Sequence, residues 1–284
     1  MDRLEQIDEF ESMFRRSERE AFVFVDVPIE SVALVTGDSF NELVAVELKR
    51  FLPRIGDATS WHSLGSSEFG NVAELLERLA AQPVDLLVTR RHLGEESLSP
   101  QHSLGVFLDE LTQRTSIPVL VLPGTAGSPQ QLPPEPCCRA MVVADHISGD
   151  HRLINFGVRM CSEGGSVWLC HVEDDMVFRR FVDAIERIPE IATEPAAALL
   201  EAQLLKEAED FIASCIATLE ETGPEVTLHS HVGIGHHVRE YRRLIDEHEI
   251  DLLVANTKDD DQLAMHGMAY SLSIELVDVP LLLL

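Results

Sequence analysis

Two stretches of this chain carry the same order of apolar and polar positions. Val84-Asp-Leu-Leu-Val-Thr-Arg-Arg91 is echoed by Ile250-Asp-Leu-Leu-Val-Ala-Asn-Thr257. A polar loop follows each, then a helix opening at a glycine (Gly105, Gly267), then an apolar run with an early proline (Ile117–Leu122, Val279–Leu284). The interval from glycine to proline is 13 positions in both cases. Runs such as Met141-Val-Val-Ala144 and Leu252-Leu-Val-Ala255 do not alternate with polar residues, which points to parallel strands buried on both faces. The first copy reads as strands over 31–36, 58–64, 84–89 and 117–122, with helices over 41–51, 70–81 and 104–114. The stripe Ala73, Leu76, Leu79 and Ala80 is expected to face the core.

The second copy reads as strands over 139–144, 166–172, 226–232, 250–255 and 279–284. Its helices fall over 150–161, 196–221, 237–247 and 267–277. The longest is stopped by Gly223-Pro224 and is expected to bury Ala197, Leu200, Leu204, Ala208, Phe211, Ile212 and Cys215. Gly37 to Asp85 spans 48 positions and Asp145 to Asp251 spans 106, so the first copy lacks about one strand and the long helix. The organisation is an N-terminal helix-and-strand extension (1–29, with Ala21–Val27 as the strand), a reduced first domain (30–124), a linker (125–136) and a complete second domain (137–284). Proline and glycine between Pro123 and Pro136 predict an exposed linker without regular structure. The fold class is α/β, two tandem doubly wound parallel-sheet domains. The two wholly apolar terminal strands would be hazardous as open edges. They are therefore expected to lie adjacent and antiparallel, an intramolecular pairing of the domains about a pseudo-two-fold axis, with any homodimer using a different surface.

At 284 residues the chain has the length of about two domains, and 45% hydrophobic residues suffice for their cores. A net charge of -27 repels phosphate backbones and anionic lipid, which excludes nucleic acid and membrane surfaces as expected partners. The protein partner is left open. The five cysteines form no C-x-x-C pair, the usage of a reducing compartment. The acidic N-terminus does not resemble a targeting peptide, and the expected location is the cytoplasm.

The order of elements resembles a tandem universal stress protein. Val142-Val-Ala-Asp145, the long helix, Val232-Gly233, the run Ile250–Thr257, Gly267 and Val279-Pro280 carry the likeness. It implies the adenine nucleotide α-hydrolase-like fold and an ancestral nucleotide site. In that site Asp145 would touch adenine, and a glycine-rich loop would present N–H groups to phosphate. In this chain the second loop lacks its first two glycines, near Asn256 and Asp259, and carries Asp259-Asp260-Asp261. The pocket around Asp145, Val232, Gly233, Asn256 and Gly267 is therefore read as degenerate and unable to bind ATP. In the first copy Gly37, followed by Asp38, stands at the adenine-contacting position. Its loop supplies Thr89, Arg90, Arg91, His92, Gly94 and Gly105 as candidates for binding an anion or a nucleotide, ATP or AMP, in place of backbone donors. The competing reading pairs the arginines with Glu95, Glu96 or acids of the other copy.

His229-Ser-His231 could suit Zn²⁺ by its spacing, but solvated or core histidines are the simpler reading, and no metal is assigned. No G-x-S-x-G and no recognisable Cys–His arrangement is present, so no catalytic residue is assigned. The expected function is that of a non-catalytic stress-response regulator or scaffold without a cofactor. The alternative is an adenine-nucleotide sensor using the modified first loop.

Overall fold

The computed structural model describes residues 22–37, 41–55, 60–65, 67–95, 103–125, 128–129, 131–144, 147, 149–223, 225–257 and 267–284. Nine strands form one sheet: β1 (Ser31–Val35), β2 (Ser60–Ser63), β3 (Leu86–Arg90), β4 (Val119–Leu122), β5 (Arg139–Val143), β6 (Ser166–Asp174), β7 (Thr227–Gly235), β8 (Leu252–Ala255) and β9 (Leu281–Leu283). Their order is β2-β1-β3-β4-β9-β8-β5-β6-β7. Every neighbouring pair is parallel except β4 and β9, which run antiparallel with Leu281 opposite Val121 and Leu283 opposite Val119. The expected pairing of the two apolar terminal strands is thus the seam at which the halves of the sheet meet.

Eight α-helices cover the sheet among the described residues: α1 (Asn41–Phe51), α2 (Val72–Ala80), α3 (Val106–Arg114), α4 (His151–Met160), α5 (Asp175–Glu186), α6 (Thr193–Thr222), α7 (His237–His248) and α8 (Gly267–Glu275). The strands show why their sequences do not alternate. Val32, Leu34, Val142 and Val254 face a core shared with α1, α4 and α6. Their neighbours Ala33, Val35, Val143 and Leu253 face a second core shared with α2, α3, α7 and α8. Both faces are dry over the central strands, so their interior positions are almost all apolar, whereas the edge strands β2 and β7 carry polar and exposed positions. The two edges also confirm the difference in size: β2 ends the N-terminal half, where the C-terminal half continues through β6 to β7.

The repeated Val/Ile-Asp pair has a structural role. Asp85 Oδ2 accepts the main-chain N–H groups of Glu30 (2.8 Å) and Ser31 (2.9 Å). Its counterpart Asp251 accepts those of Cys138 (3.0 Å) and Arg139 (2.9 Å). Each carboxylate ties the entry of its own strand to the neighbouring one by charge-assisted bonds. The ends of the repeats match as well. Thr257 donates from Oγ1 to the Leu284 carbonyl at 2.6 Å, and Arg91 donates to the corresponding Leu122 carbonyl at 3.1 Å.

Several sequence expectations are corrected. Residues 22–30 form no strand. They are instead pinned to α4 by the Asn155 amide, which donates to Val23 O and accepts from Val25 N, while Phe22 and Ile29 enter the core. A side-chain amide has taken the place of a strand partner. The expected helix at the start of the 1–29 extension lies outside the described residues. The linker is not wholly irregular or exposed: Gly124–Thr125 pairs with Ser128–Pro129, and Leu132 is buried. The buried stripe of α2 is Val72, Leu75 and Leu79, not the set centred on Ala73 and Leu76. Asn71 caps this helix by accepting the Glu74 N–H, and that start fixes which face turns inward.

The helix α5 has no counterpart in the sequence reading, and α6 starts earlier than expected. Within α6 only Ala208, Phe211, Ile212, Cys215 and Leu219 are buried. Ala197, Leu200 and Leu204 are half-buried.

Four of the five thiols are buried, and Cys138 is exposed. Burial raises Cys161 and Cys215 to about 12 and pushes Cys137 and Cys170 upward too. Thiolates are the reactive form. Maleimide is therefore expected to modify Cys138 alone in the native protein and all five cysteines in denaturant. Two or more prompt labels would contradict this burial pattern.

Candidate functional site

The carboxyl ends of the strands are where open α/β sheets place ligands, and each half of the sheet has such an end. In the N-terminal half the chain leaves β3 through Thr89 and Arg90, turns at His92 and Gly94, and enters α3 beyond Gly105. Thr89 is buried and donates from its hydroxyl to Val35 O at 2.9 Å. Arg91 is also buried. Its three guanidinium nitrogens donate to Ser273 O (3.0 Å), Leu122 O (3.1 Å) and Leu276 O (3.2 Å). Burial lowers its pKa to about 10, opposed by the nearby Asp278 carboxylate, so it is a cation at neutral pH. Its hydrogen bonds are directed at the end of β4 and the C-terminal turn of α8, where carbonyls lack helical partners. Arg91 thus joins the two halves of the molecule and does not reach toward a ligand.

Arg90 lies over Gly37, with its Nη2 at 3.4 Å from where a Cβ would stand. Partial desolvation lowers its pKa. Gly37 itself has φ +103°, a conformation suited to glycine. Asp38 falls outside the described residues.

His92 and the glycines shape the turn. His92 has φ +54° and donates its N–H to Leu104 O at 2.9 Å. Gly105, at φ +86°, passes so close that a Cβ would lie 2.7 Å from the His92 Cα. That contact explains the glycine at the mouth of α3. Gly94, also at positive φ, faces open space.

The decisive side chain is Glu95. Its Oε1 accepts the N–H of Val106, the first residue of α3, and its Oε2 is 3.1 Å from His92 Nδ1. A helix N-terminus with free N–H groups is an anion site. Here the anion is the chain's own carboxylate. Sequence reading noticed Glu95 only as a partner for arginine; the geometry gives it to the helix and the imidazole.

In the C-terminal half a cavity of about 490 Å³ opens at the ends of β6 and β7, bounded by the starts of α7 and α8. Val172, Val177, Val238 and Met268 give it apolar walls, and Glu173 and Asp174 make its rim acidic. Both carboxylates have internal partners. Glu173 lies 3.2 Å from His171 Nε2, and Asp174 accepts the Met176 and Val177 N–H groups as the cap of α5. His237 is held by donation from Nε2 to Val172 O at 2.7 Å.

Of the residues expected around a second pocket, Gly267 lines this cavity. Val232 and Gly233 lie on β7, in register with His171 and Val172. Asn256 lies apart, donating from its amide to Asp150, the cap of α4. Gly267 has nothing within 4 Å of a notional Cβ, so the equivalent glycines of the two repeats do different work. Asp145 and Asp259–Asp261 fall outside the described residues. The sequence offered no signal for the cavity walls from β6 and α5, because the segment joining that strand to the long helix matches no part of the repeat.

His229 stacks on Trp168 at 4.4 Å, and His248 stacks on the same indole at 3.7 Å. His231 has its pKa lowered by burial and by Arg243. Among the described residues no three His, Cys, Asp or Glu side chains are grouped to hold a metal ion. No helix among them is long and apolar enough to cross a membrane.

No protein-family model matches the chain, and no curated protein matches it. Solved structures do share its fold. A candidate universal stress protein from Pseudomonas aeruginosa UCBPP-PA14 superposes with a TM-score of 0.50 at 12% identity, covering 90% of this chain and 93% of that one. A functionally unknown protein from Pseudomonas aeruginosa PAO1 gives 0.49 at 10% identity over 90% and 92% of the two chains. A universal stress protein from Archaeoglobus fulgidus gives 0.42 at 12% identity over 90% and 85%. The likeness to the first of these is one of fold.

Proposed function

We propose that this chain is a non-catalytic regulator or scaffold of the stress-response type, built from two tandem universal-stress-like domains (30–124 and 137–284) whose nucleotide loops are degenerate. The observation that carries this reading is Glu95 seated on the N-terminus of α3 and against His92. A phosphate brought to the same place would stand beside that carboxylate. At about 4 Å and an effective dielectric near 20 the repulsion is roughly 4 kcal/mol per charge pair, which weakens a micromolar affinity about a thousandfold, to millimolar.

The other cations of this loop support the same view. Arg91 is committed to three carbonyls, and Arg90 is part-exposed near the strand end. In the C-terminal half the acidic rim of the cavity disfavours a triphosphate in the same way. The buried thiols, held in their protonated form, are poor nucleophiles, in keeping with a protein that works by contact and without a cofactor.

The test is calorimetric titration of ATP and AMP, with and without Mg²⁺, into the intact protein. No saturable heat is expected. Glu95→Ala should free the Val106 N–H and admit inorganic phosphate or nucleotide at millimolar concentration. Micromolar nucleotide binding by the unaltered protein would overturn the proposal in favour of a nucleotide sensor.

A further inference from the structure

A stack of three aromatic rings lies near the amino ends of β6 and β7, where these strands meet the last turn of α7. Trp168 on β6 stands opposite His229 on β7 in the ladder, and the two rings stack at 4.4 Å with 20° between their planes. His248, in the last turn of α7, stacks on the same indole at 3.7 Å and 14°. Two rings this close and this nearly parallel cannot share one face of an indole, so one imidazole covers each face. His231 stands two residues along β7 and therefore on the same side of the sheet. Its Nε2 is 3.7 Å from where a Cβ of Gly233 would be. All four rings are half-buried.

The charges facing this cluster come mainly from α7. Arg243 reaches Glu240 at 3.0 Å and Glu247 at 2.5 Å, and Arg239 lies 3.6 Å from Glu240. Glu249, just past the helix, pairs with Arg139 of β5 at 2.7 Å, and Arg139 also meets Asp251 at 3.3 Å. On β6 the Trp168 side carries Ser166, Cys170, Val172 and Asp174, of which Asp174 is taken up as the cap of α5. On β7 the same side carries Thr227 and two glycines besides the histidines. The carboxylates nearest His231, those of Glu240 and Glu247, are thus shared with Arg243. Burial, Arg243 and His248 lower the His231 pKa against the opposing pull of Glu240 and Glu247.

We propose that the His229–Trp168–His248 stack is an acid-sensitive latch that holds the last turn of α7 to the sheet. Neutral imidazoles stack on both faces of the indole and keep it closed. Histidine takes up its charge between about pH 8 and about pH 5. The first imidazolium gains a cation–π contact with the indole. A second would face it across that ring, and a third on His231 would stand beside Arg243. Like charges then gather where the carboxylates are already shared, and release of His248 from the indole relieves the crowding. His231 gives the sign. It binds its proton less well in the closed fold than in the open form, so acid favours opening. The latch is closed above the ordinary histidine value of about 6.5 and opens as pH falls below it. β7 has a sheet neighbour on one side only, so its contacts with α7 can open locally.

Fluorescence of the full chain tests this. With Trp61→Phe, Trp168 is the one indole left. Its emission should move reversibly to longer wavelength as pH falls from about 8 to about 5, because release of His248 admits water to one face of the ring. Far-ultraviolet circular dichroism should stay constant over the same range. His229→Gln, His231→Gln and His248→Gln together should abolish the step. His231→Gln alone leaves the stack in place and should displace the step to lower pH by about half a unit or more. Emission that is constant across the range, or a step that survives the triple substitution, would overturn the proposal. A parallel loss of helix signal would do so too, by assigning the step to general unfolding. Should the triple variant lose its fold, His231→Gln decides, and a step that it leaves unmoved counts against the latch.

Discussion

A chain lacking Leu281–Leu284 is expected not to fold. These four residues form β9 and its end, which lies in the interior of the sheet between β4 and β8. Leu281, Leu282 and Leu283 are 1%, 0% and 2% exposed, and they face both cores. Removing each side chain forfeits about 2–3 kcal/mol of burial. The loss also strips the backbone partners of both β4 and β8, leaving Val119–Leu122 as an apolar unpaired edge. The total exceeds much of the roughly 5–15 kcal/mol by which domains are stable. The truncated protein should aggregate or show no cooperative melting. A soluble truncation with an unchanged melting temperature would mean that β9 does not hold the two halves together.

Arg91→Ala is expected to be the most damaging single substitution in the candidate site, and to act on stability. The guanidinium satisfies three main-chain carbonyls drawn from both halves of the molecule. Its removal takes the guanidinium donor from all three carbonyls and opens a void beside them. Buried acceptors cost about 1–3 kcal/mol each when stranded, so a loss of about 3–5 kcal/mol is expected after relaxation. Arg91→Lys should recover part of it, because an ammonium keeps the charge and can reach fewer of the carbonyls. Urea denaturation followed by tryptophan fluorescence gives the value. A loss under about 1 kcal/mol would show that the halves do not depend on this clamp.

Much of the fold was legible because it is local and periodic. The unbroken apolar runs marked the central strands, since a strand covered on both faces has few polar positions. Repetition then showed that the two halves share one order of elements along the chain. The hazard of two wholly apolar terminal strands predicted that β4 and β9 pair. Boundaries at the linker, at residues 22–30 and around α5 were less legible. At the first two of these places distant contacts hold the conformation: the Asn155 amide on Val23 and Val25, and the burial of Leu132.

The candidate site divides along the same line. By itself the sequence determined which groups stand at the strand ends: Thr89 to His92 and Gly105 in one repeat, Asn256, Thr257 and Gly267 in the other. What only the tertiary structure decided is where those groups point. Arg90 and Arg91 are adjacent in sequence, and successive side chains of an extended chain leave on opposite sides. One therefore rests over Gly37 while its neighbour is buried against carbonyls from a segment more than 180 positions away. Glu95 is a single acid among many in the sequence. Only the turn at His92 and Gly94 brings its carboxylate onto the first N–H of α3, and so fills the site from within.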